Sequence, residues 1–198
     1  MGIHNDTILS VLRDNNGYIT ASQVTSLGIP RRCLSEMMFS GDIYKVSRGI
    51  YALPEVWEDE MYFLQYRYGK GIFSHGTALY LHGLTDRTPH NYTMTFPRGY
   101  NSQAAKQQGI VVKVTVPEFY ELGITEVNSP CGNTVKTYDV ERTLCDIVRG
   151  KNSDNIQYVN QAMKSYAISK SKDISKLLGY AEKLRVKRKI LRYMEVLL

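Results

Sequence analysis

Hydrophobic positions in the first thirty residues recur at the spacing of short helices. Ile8, Val11 and Leu12 follow Asp6, a candidate N-cap, and Asn15-Asn16-Gly17 ends that run. Tyr18-Ile19 reads as a short extended link. Thr20-Ala21-Ser22-Gln23 has the form of a capping box, with the Thr20 hydroxyl closing the helix start and Gln23 reaching back. That second helix runs to Leu27 and Gly28 stops it. Ile29-Pro30 then opens a third helix over about 30–40, because proline has no N–H to lose at the first helical position. Two short helices separated by a glycine-containing turn outline a helix-turn-helix.

The third helix has two unlike sides. At about 100° per residue, Cys33, Leu34, Met37 and Met38 gather on one side and Arg31, Arg32, Ser35, Glu36 and Phe39 on the other. The apolar side predicts packing on the first two helices. The polar side places two arginines at the N-terminal end, where recognition helices approach base edges and the helix dipole favours phosphate. Those arginines fit either bidentate binding of guanine or clamping of a phosphate, and an ordinary amphipathic helix with solvated arginines is the plain alternative. Two alternating β-runs follow, Gly41–Val46 and Gly49–Leu53, flanking Ser47-Arg48-Gly49, a tight hairpin whose glycine supplies positive φ. A hairpin directly after the third helix predicts a wing, with Lys45 and Arg48 along it or at its tip.

Beyond Pro54 the pattern changes. Glu58, Asp59 and Glu60 suit the start of a helix, and Tyr62, Phe63 and Tyr66 give it an aromatic stripe read as packing. Ser74 is a candidate cap for a helix over 75–82. Segments 93–96, 110–116, 124–127 and 134–138 read as short strands between glycine, proline and asparagine breakers. Asp139 or Thr137 caps a further helix with Val140, Leu144, Ile147 and Val148 facing inward. In it, Arg142 and Asp146 read as an i,i+4 surface pair, with a functional cluster of Glu141, Arg142 and Asp146, or a buried pair fixing the fold, as alternatives. Three apolar stripes close the chain: Ile156, Val159, Met163 and Tyr166; Ile174, Leu177, Leu178, Ala181 and Leu184; Ile190, Leu191, Met194 and Leu197. The expected fold class is α+β: an N-terminal winged helix-turn-helix domain over 1–56, then a mixed α/β C-terminal domain over 57–198 that ends in helices.

Charge refines this picture by its location. The 198 residues carry a net charge of +6. Residues 1–56 balance five basic against five acidic side chains, whereas residues 151–198 hold eleven basic and four acidic. DNA binding by the first quarter must therefore rest on where its cations sit, not on their number. The candidate DNA contacts are Ser22, Gln23, Arg31, Arg32, Ser35, Lys45 and Arg48. Lys176, Lys183, Arg185, Lys187, Arg188 and Lys189 form a candidate basic surface near the chain end, either a solubilising face or one meeting operator phosphates or an acidic or RNA-bearing partner. Cys33, Cys131 and Cys145, without a CxxC pair or an apolar leader, predict reduced thiols and a cytoplasmic location. No apolar run approaches the roughly 18–20 residues of a membrane span.

Catalytic signatures are missing: there is no GxSxG, P-loop, HExxH or GxGxxG, and Glu118, Glu121 and Glu126 lack the spacing of a nuclease carboxylate cluster. His75 and His82 stand about 10 Å apart by helical rise, too far to share a metal. No enzyme, cofactor or metal is expected.

The run "ITASQVTSLGIPRRCLSEMMFSGDIYKVSRGIYAL" at 19–53, "SHGTALYLHGL" at 74–84, "MTFPRG" at 94–99 and "YDVERTLCDIV" at 138–148 resembles the AbiEi-type antitoxins of bacterial type IV toxin–antitoxin and abortive-infection systems. The resemblance spans nearly the whole chain. It implies an N-terminal winged helix-turn-helix that represses its own operon at inverted repeats in double-stranded promoter DNA. It also implies a C-terminal domain that neutralises a nucleotidyltransferase-like toxin without needing a stable complex. Two other classes compete: a stand-alone winged-helix transcription factor with a ligand-sensing second domain, and a degenerate nuclease carrying a DNA-binding module.

Overall fold

The computed structural model describes residues 2–149 and 156–197. Lys151 and Asp154, counted in the charge of the last segment, lie outside the described residues. The chain is α+β and divides into two compact units. The first runs through Leu64 and includes Ser129–Asn133; the second holds Gln65–Asn128 and the residues from Thr134 onward.

In the first unit, α1 (Ile3–Asp14), β1 (Tyr18–Thr20), α2 (Ala21–Ser26), α3 (Arg32–Ser40), β2 (Tyr44–Ser47) and β3 (Ile50–Ala52) follow in that order. The strands form an antiparallel sheet in the order β1-β3-β2, so the expected link at Tyr18-Ile19 is a strand paired with Ala52 and Tyr51. Ile8, Leu12, Ile19, Val24, Leu34, Met37 and Ile43 form the core between helices and sheet. The capping box of α2 is present in full: Gln23 N–H donates to Thr20 Oγ1 (3.2 Å) and Thr20 N–H donates to Gln23 Oε1 (2.8 Å).

Two helix starts differ from the sequence reading. Gly2, not Asp6, occupies the N-cap of α1, which leaves Asp6 in the first turn where its charge still meets the helix dipole. Pro30 stands two residues ahead of α3, whose N-cap is Arg31, so proline sets the entry rather than the first turn. Gly17 (φ +82°) admits no side chain, since a Cβ there would come within 2.1 Å of Val56.

This unit passes the expected boundary at residue 56. Tyr62 and Phe63 of α4 (Glu60–Arg67) pack on Tyr18, with ring centroids 5.5 and 5.6 Å away. Asp59, buried at 2% exposure, caps α4 by accepting from Tyr62 N–H (3.1 Å) and also accepts from Ser129 Oγ and Asn133 Nδ2 (2.8 Å). A buried carboxylate is tolerated when several donors satisfy it, and these donors hold Ser129–Asn133 within the unit.

The second unit is a mixed five-stranded sheet with helices. Its elements are β4 (Ile72–Phe73), α5 (His75–Leu81), β5 (Thr93–Pro97), α6 (Gln103–Gln107), β6 (Val111–Thr115), α7 (Pro117–Tyr120), β7 (Ile124–Asn128), β8 (Thr134–Tyr138) and α8 (Val140–Ile147). Then come α9 (Ile156–Ile168), α10 (Ile174–Lys183) and α11 (Lys187–Leu197). Strand order is β6-β5-β4-β8-β7, with β5–β6 and β4–β8 parallel and the other pairs antiparallel. The central strand β4 is two residues long, too short for any periodicity to register. Leu144, Cys145 and Ile147 of α8 pack with Val159, Met163, Leu177, Ala181 and Ile190 of the last three helices. Ile156, counted in the apolar stripe of α9, is 60% exposed, whereas Val159, Met163 and Tyr166 are buried as expected.

Helix α8 overturns the surface-pair reading. Arg142 is 1% exposed and Asp146 4%, with Arg142 Nε donating to Asp146 Oδ2 at 3.0 Å. Arg142 Nη1 also donates to the carbonyls of Phe119 and Leu122, and its guanidinium lies 4.2 Å from the Tyr138 ring centroid. A cation paired with a carboxylate and two carbonyls is tolerated in a core and fixes the approach of α7 and the following loop to α8. Asp139 caps this helix as read, accepting from Arg142 N–H at 2.8 Å. Ser74 caps nothing with its side chain: its hydroxyl accepts from Thr95 Oγ1 at 2.8 Å instead.

Candidate nucleic-acid interface

Helix α3 buries Cys33, Leu34 and Met37 and turns Arg32, Ser35, Glu36 and Phe39 to the exterior. Its orientation follows from the 3.6-residue period, since the buried trio meets the core and positions i, i+3, i+4 and i+7 from Arg32 fall opposite. Arg32 and Ser35 are exposed, and Arg32 forms no ion pair with a described carboxylate, Glu36 at i+4 on the same face included. Arg31 is exposed but oriented: its Nε donates to Thr25 Oγ1 of α2 at 2.9 Å, which fixes the guanidinium plane at the helix start and leaves its terminal nitrogens for an outside acceptor.

Ser22 and Gln23 lie at the start of α2. Ser22 Oγ is 3.0 Å from Thr20 Oγ1 and exposed. Gln23 is half-buried, and its Oε1 accepts from both Thr20 N–H and Thr20 Oγ1 (2.9 Å). The same side chain thus serves the cap, which leaves its Nε2 amide for external contacts.

The β2–β3 hairpin turns at Arg48-Gly49, where Gly49 has φ +79°, a conformation that favours glycine at this turn. The register of β2 against β3 shifts between Lys45 and Ser47. Lys45 and Arg48 are exposed, Lys45 mid-strand and Arg48 at the turn. Tyr44 next to them is half-buried, and burial followed by the Glu58 charge raises its phenol above the ordinary value. It remains a neutral hydroxyl at neutral pH.

Phe39, placed on the polar side of α3 from the sequence but given no role, is 96% exposed. It lies two helical turns after Arg32 on the same face, and the only signal for it was the break in the apolar pattern at that position.

The basic residues near the chain end divide. Lys183, Arg185 and Arg188 are exposed, and Arg185, Lys187, Arg188 and Lys189 line one shallow cleft at the α10–α11 turn. Lys187 pairs with Glu182 at 3.2 Å, and Lys189 Nζ donates to the Val148 carbonyl at 2.6 Å. Lys176 lies apart from this cleft, 3.0 Å from Asp139 Oδ2 and 3.4 Å from Glu141 Oε2.

Residues 6–54 match the family model described as "Transcriptional regulator, AbiEi antitoxin", in agreement with the resemblance of the sequence. The match contains α2, α3 and the hairpin with all seven candidate DNA contacts. The chain is also similar to a solved structure, the crystal structure of the RV2827C protein from Mycobacterium tuberculosis, at 13% identity and a TM-score of 0.46, over 100% of this chain and 81% of that one. No curated protein matches the chain. No described helix is long and apolar enough to cross a membrane.

Proposed function

We propose that this protein is an autorepressing antitoxin of a type IV toxin–antitoxin pair. The observation that carries the reading is a coincidence of spans: the residues matched by the regulator and antitoxin family, 6–54, are those that present exposed cations on α3 and on the β2–β3 hairpin. In this reading α2 and α3 are a helix-turn-helix and the hairpin is its wing. Helix α3 enters the major groove with Arg32 and Ser35 at base edges, and Arg31, oriented by Thr25, meets a phosphate or a guanine at the groove entrance. Lys45 and Arg48 reach the adjacent backbone or minor groove, while Ser22 and the Gln23 amide meet the phosphate beside α2.

The operator is double-stranded DNA with inverted repeats, each half-site taken by one N-terminal domain. The second unit neutralises a nucleotidyltransferase-like toxin in the cytoplasm without a lasting complex, with Lys183, Arg185 and Arg188 on its basic face and Lys176, Lys187 and Lys189 held by internal partners. Separation of the two roles in the full-length chain tests this. The Arg31→Ala/Arg32→Ala protein should release a reporter driven by the chain's own promoter yet still protect cells that express the toxin. Retained repression, or loss of protection together with repression, contradicts the assignment.

A further inference from the structure

DNA binding by the first unit makes no use of three of the sequence motifs, at 74–84, 94–99 and 138–148. In the second unit they converge on one cleft of about 340 Å³. His75 comes from the first motif, Arg98 from the second, Arg142 and Asp146 from the third, and Arg149 and Lys113 complete the cationic lining.

Four full positive charges face a single carboxylate. Asp146 is engaged by Arg142 Nε, and Arg142 Nη1 is taken by the carbonyls of Phe119 and Leu122, so three of the five guanidinium donors are spent inside the fold. Arg142 is therefore a positioning residue. Arg98 and Lys113 form no ion pair with a described carboxylate, and Arg149 lies over the Phe119 ring, 5.2 Å from its centroid. Like charges gathered in a concave, partly apolar site repel one another and raise the local potential toward anions.

His75 adds a ring held in place through Nδ1 and Ser74. It is a non-glycine residue at φ +52°, an uncommon backbone conformation that clusters at ligand sites. Thr95 Oγ1 donates to Ser74 Oγ (2.8 Å), and Ser74 Oγ lies 3.2 Å from His75 Nδ1; in the tautomer in which Ser74 donates to Nδ1, Nε2–H is the ring donor left for a ligand. Burial first, then the charges of Lys113, Arg142 and Arg149, lower the His75 pKa to about 3, in keeping with a neutral ring.

We propose that this cleft binds a phosphate monoester of mononucleotide size, its phosphate held by Arg98, Lys113 and Arg149 and by the His75 ring. The donor set has the forked and point-like cations that match phosphate oxygens. The volume sits at the low end for small-molecule sites, with room for a phosphate and a compact organic body but not for a duplex.

Isothermal titration of the full-length protein at low ionic strength tests this, with cytidine 5′-monophosphate, inorganic phosphate and cytidine as probes. Saturable 1:1 binding of the monophosphate is expected, with none for cytidine. Arg98→Ala/Lys113→Ala should weaken it about tenfold or more, while the unliganded melting temperature stays level or rises as the repulsion is relieved. Arg31→Ala/Arg32→Ala should leave it unchanged, which separates this cleft from the DNA surface. Inorganic phosphate binding as tightly as the nucleotide supports phosphate recognition and assigns the free ion as its source. Equal binding of cytidine, absence of saturable binding of either phosphate, or full affinity in the Arg98/Lys113 variant overturns the proposal.

Discussion

The first unit and the core of the second treat their arginines in opposite ways. Arg31 and Arg32 are exposed at the start of α3, in a segment whose charges sum to zero, whereas Arg142 lies 1% exposed in α8 with Nε and Nη1 bound to Asp146 and two carbonyls. An exposed guanidinium keeps its hydration until a polyanion displaces it, so its contribution is to binding and is screened by salt. A buried one has lost that hydration and is stable only through fixed partners, so its contribution is to the fold. The same side chain is a contact in one region and a structural post in the other.

Removal of Arg142 has the largest expected effect. Arg142→Ala leaves Asp146 buried without its partner and should cost about 3–5 kcal/mol, a large share of the ~5–15 kcal/mol that holds a domain folded. Urea denaturation followed by circular dichroism should show the transition at much lower denaturant. Arg31→Ala/Arg32→Ala should leave that transition in place and weaken operator binding instead, by roughly 1–3 kcal/mol for each arginine that reads a base. A loss of stability comparable to that of Arg142→Ala would place these residues in the fold rather than at the interface.

Acidification probes a third case, the half-buried His75 of the second unit. His75 is held neutral with its pKa near 3 against an ordinary 6.5, so between those values the unfolded chain takes up a proton that the folded chain refuses. Its contribution to stability is complete above pH 6.5 and is lost as pH falls toward 3, with a slope of at most about 1.4 kcal/mol per pH unit. Asp146, whose carboxyl is pushed up by burial against the opposing pull of Arg142, works in the opposite sense and is shared by parent and variant. Urea midpoints at pH 7 and pH 5 should therefore separate less in His75→Asn than in the parent. The smallest effect belongs to the cap of α2: Thr20→Ala should cost about 1 kcal/mol, with a modest loss of DNA affinity as Ser22 and Gln23 lose their register.

Much of the first unit was legible because its signals are local. The capping box at Thr20, the glycine turn at 49 and the two-sided pattern of α3 each act over a few residues, and each appears where the sequence places it. The extension through Phe63 and the inclusion of Ser129–Asn133 depend on Tyr18 and Asp59 meeting residues distant in the chain, which no window along the sequence contains. Arg142 and Asp146 illustrate the same limit, since i,i+4 spacing is equally good on a surface and in a core, and only the carbonyls of Phe119 and Leu122 decide between them. Arg98, Lys113 and Arg149 were unreadable as a group for this reason: three separate elements supply them.

In the proposed function, charge placement on α3 and the hairpin, rather than net charge, directs the protein to its own promoter. The decisive experiment is a gel-shift titration of the full-length protein on its upstream promoter and on scrambled DNA, each at two salt concentrations. Promoter binding should survive the higher salt while scrambled binding is erased. The dependence of log affinity on log salt should also become shallower for Arg31→Ala/Arg32→Ala, by about 0.9 per lost phosphate contact. Equal binding to both DNAs, erased together by salt and unchanged in that variant, would refute this role for α3 and leave the basic face near Arg185 and Arg188 as the source of the binding.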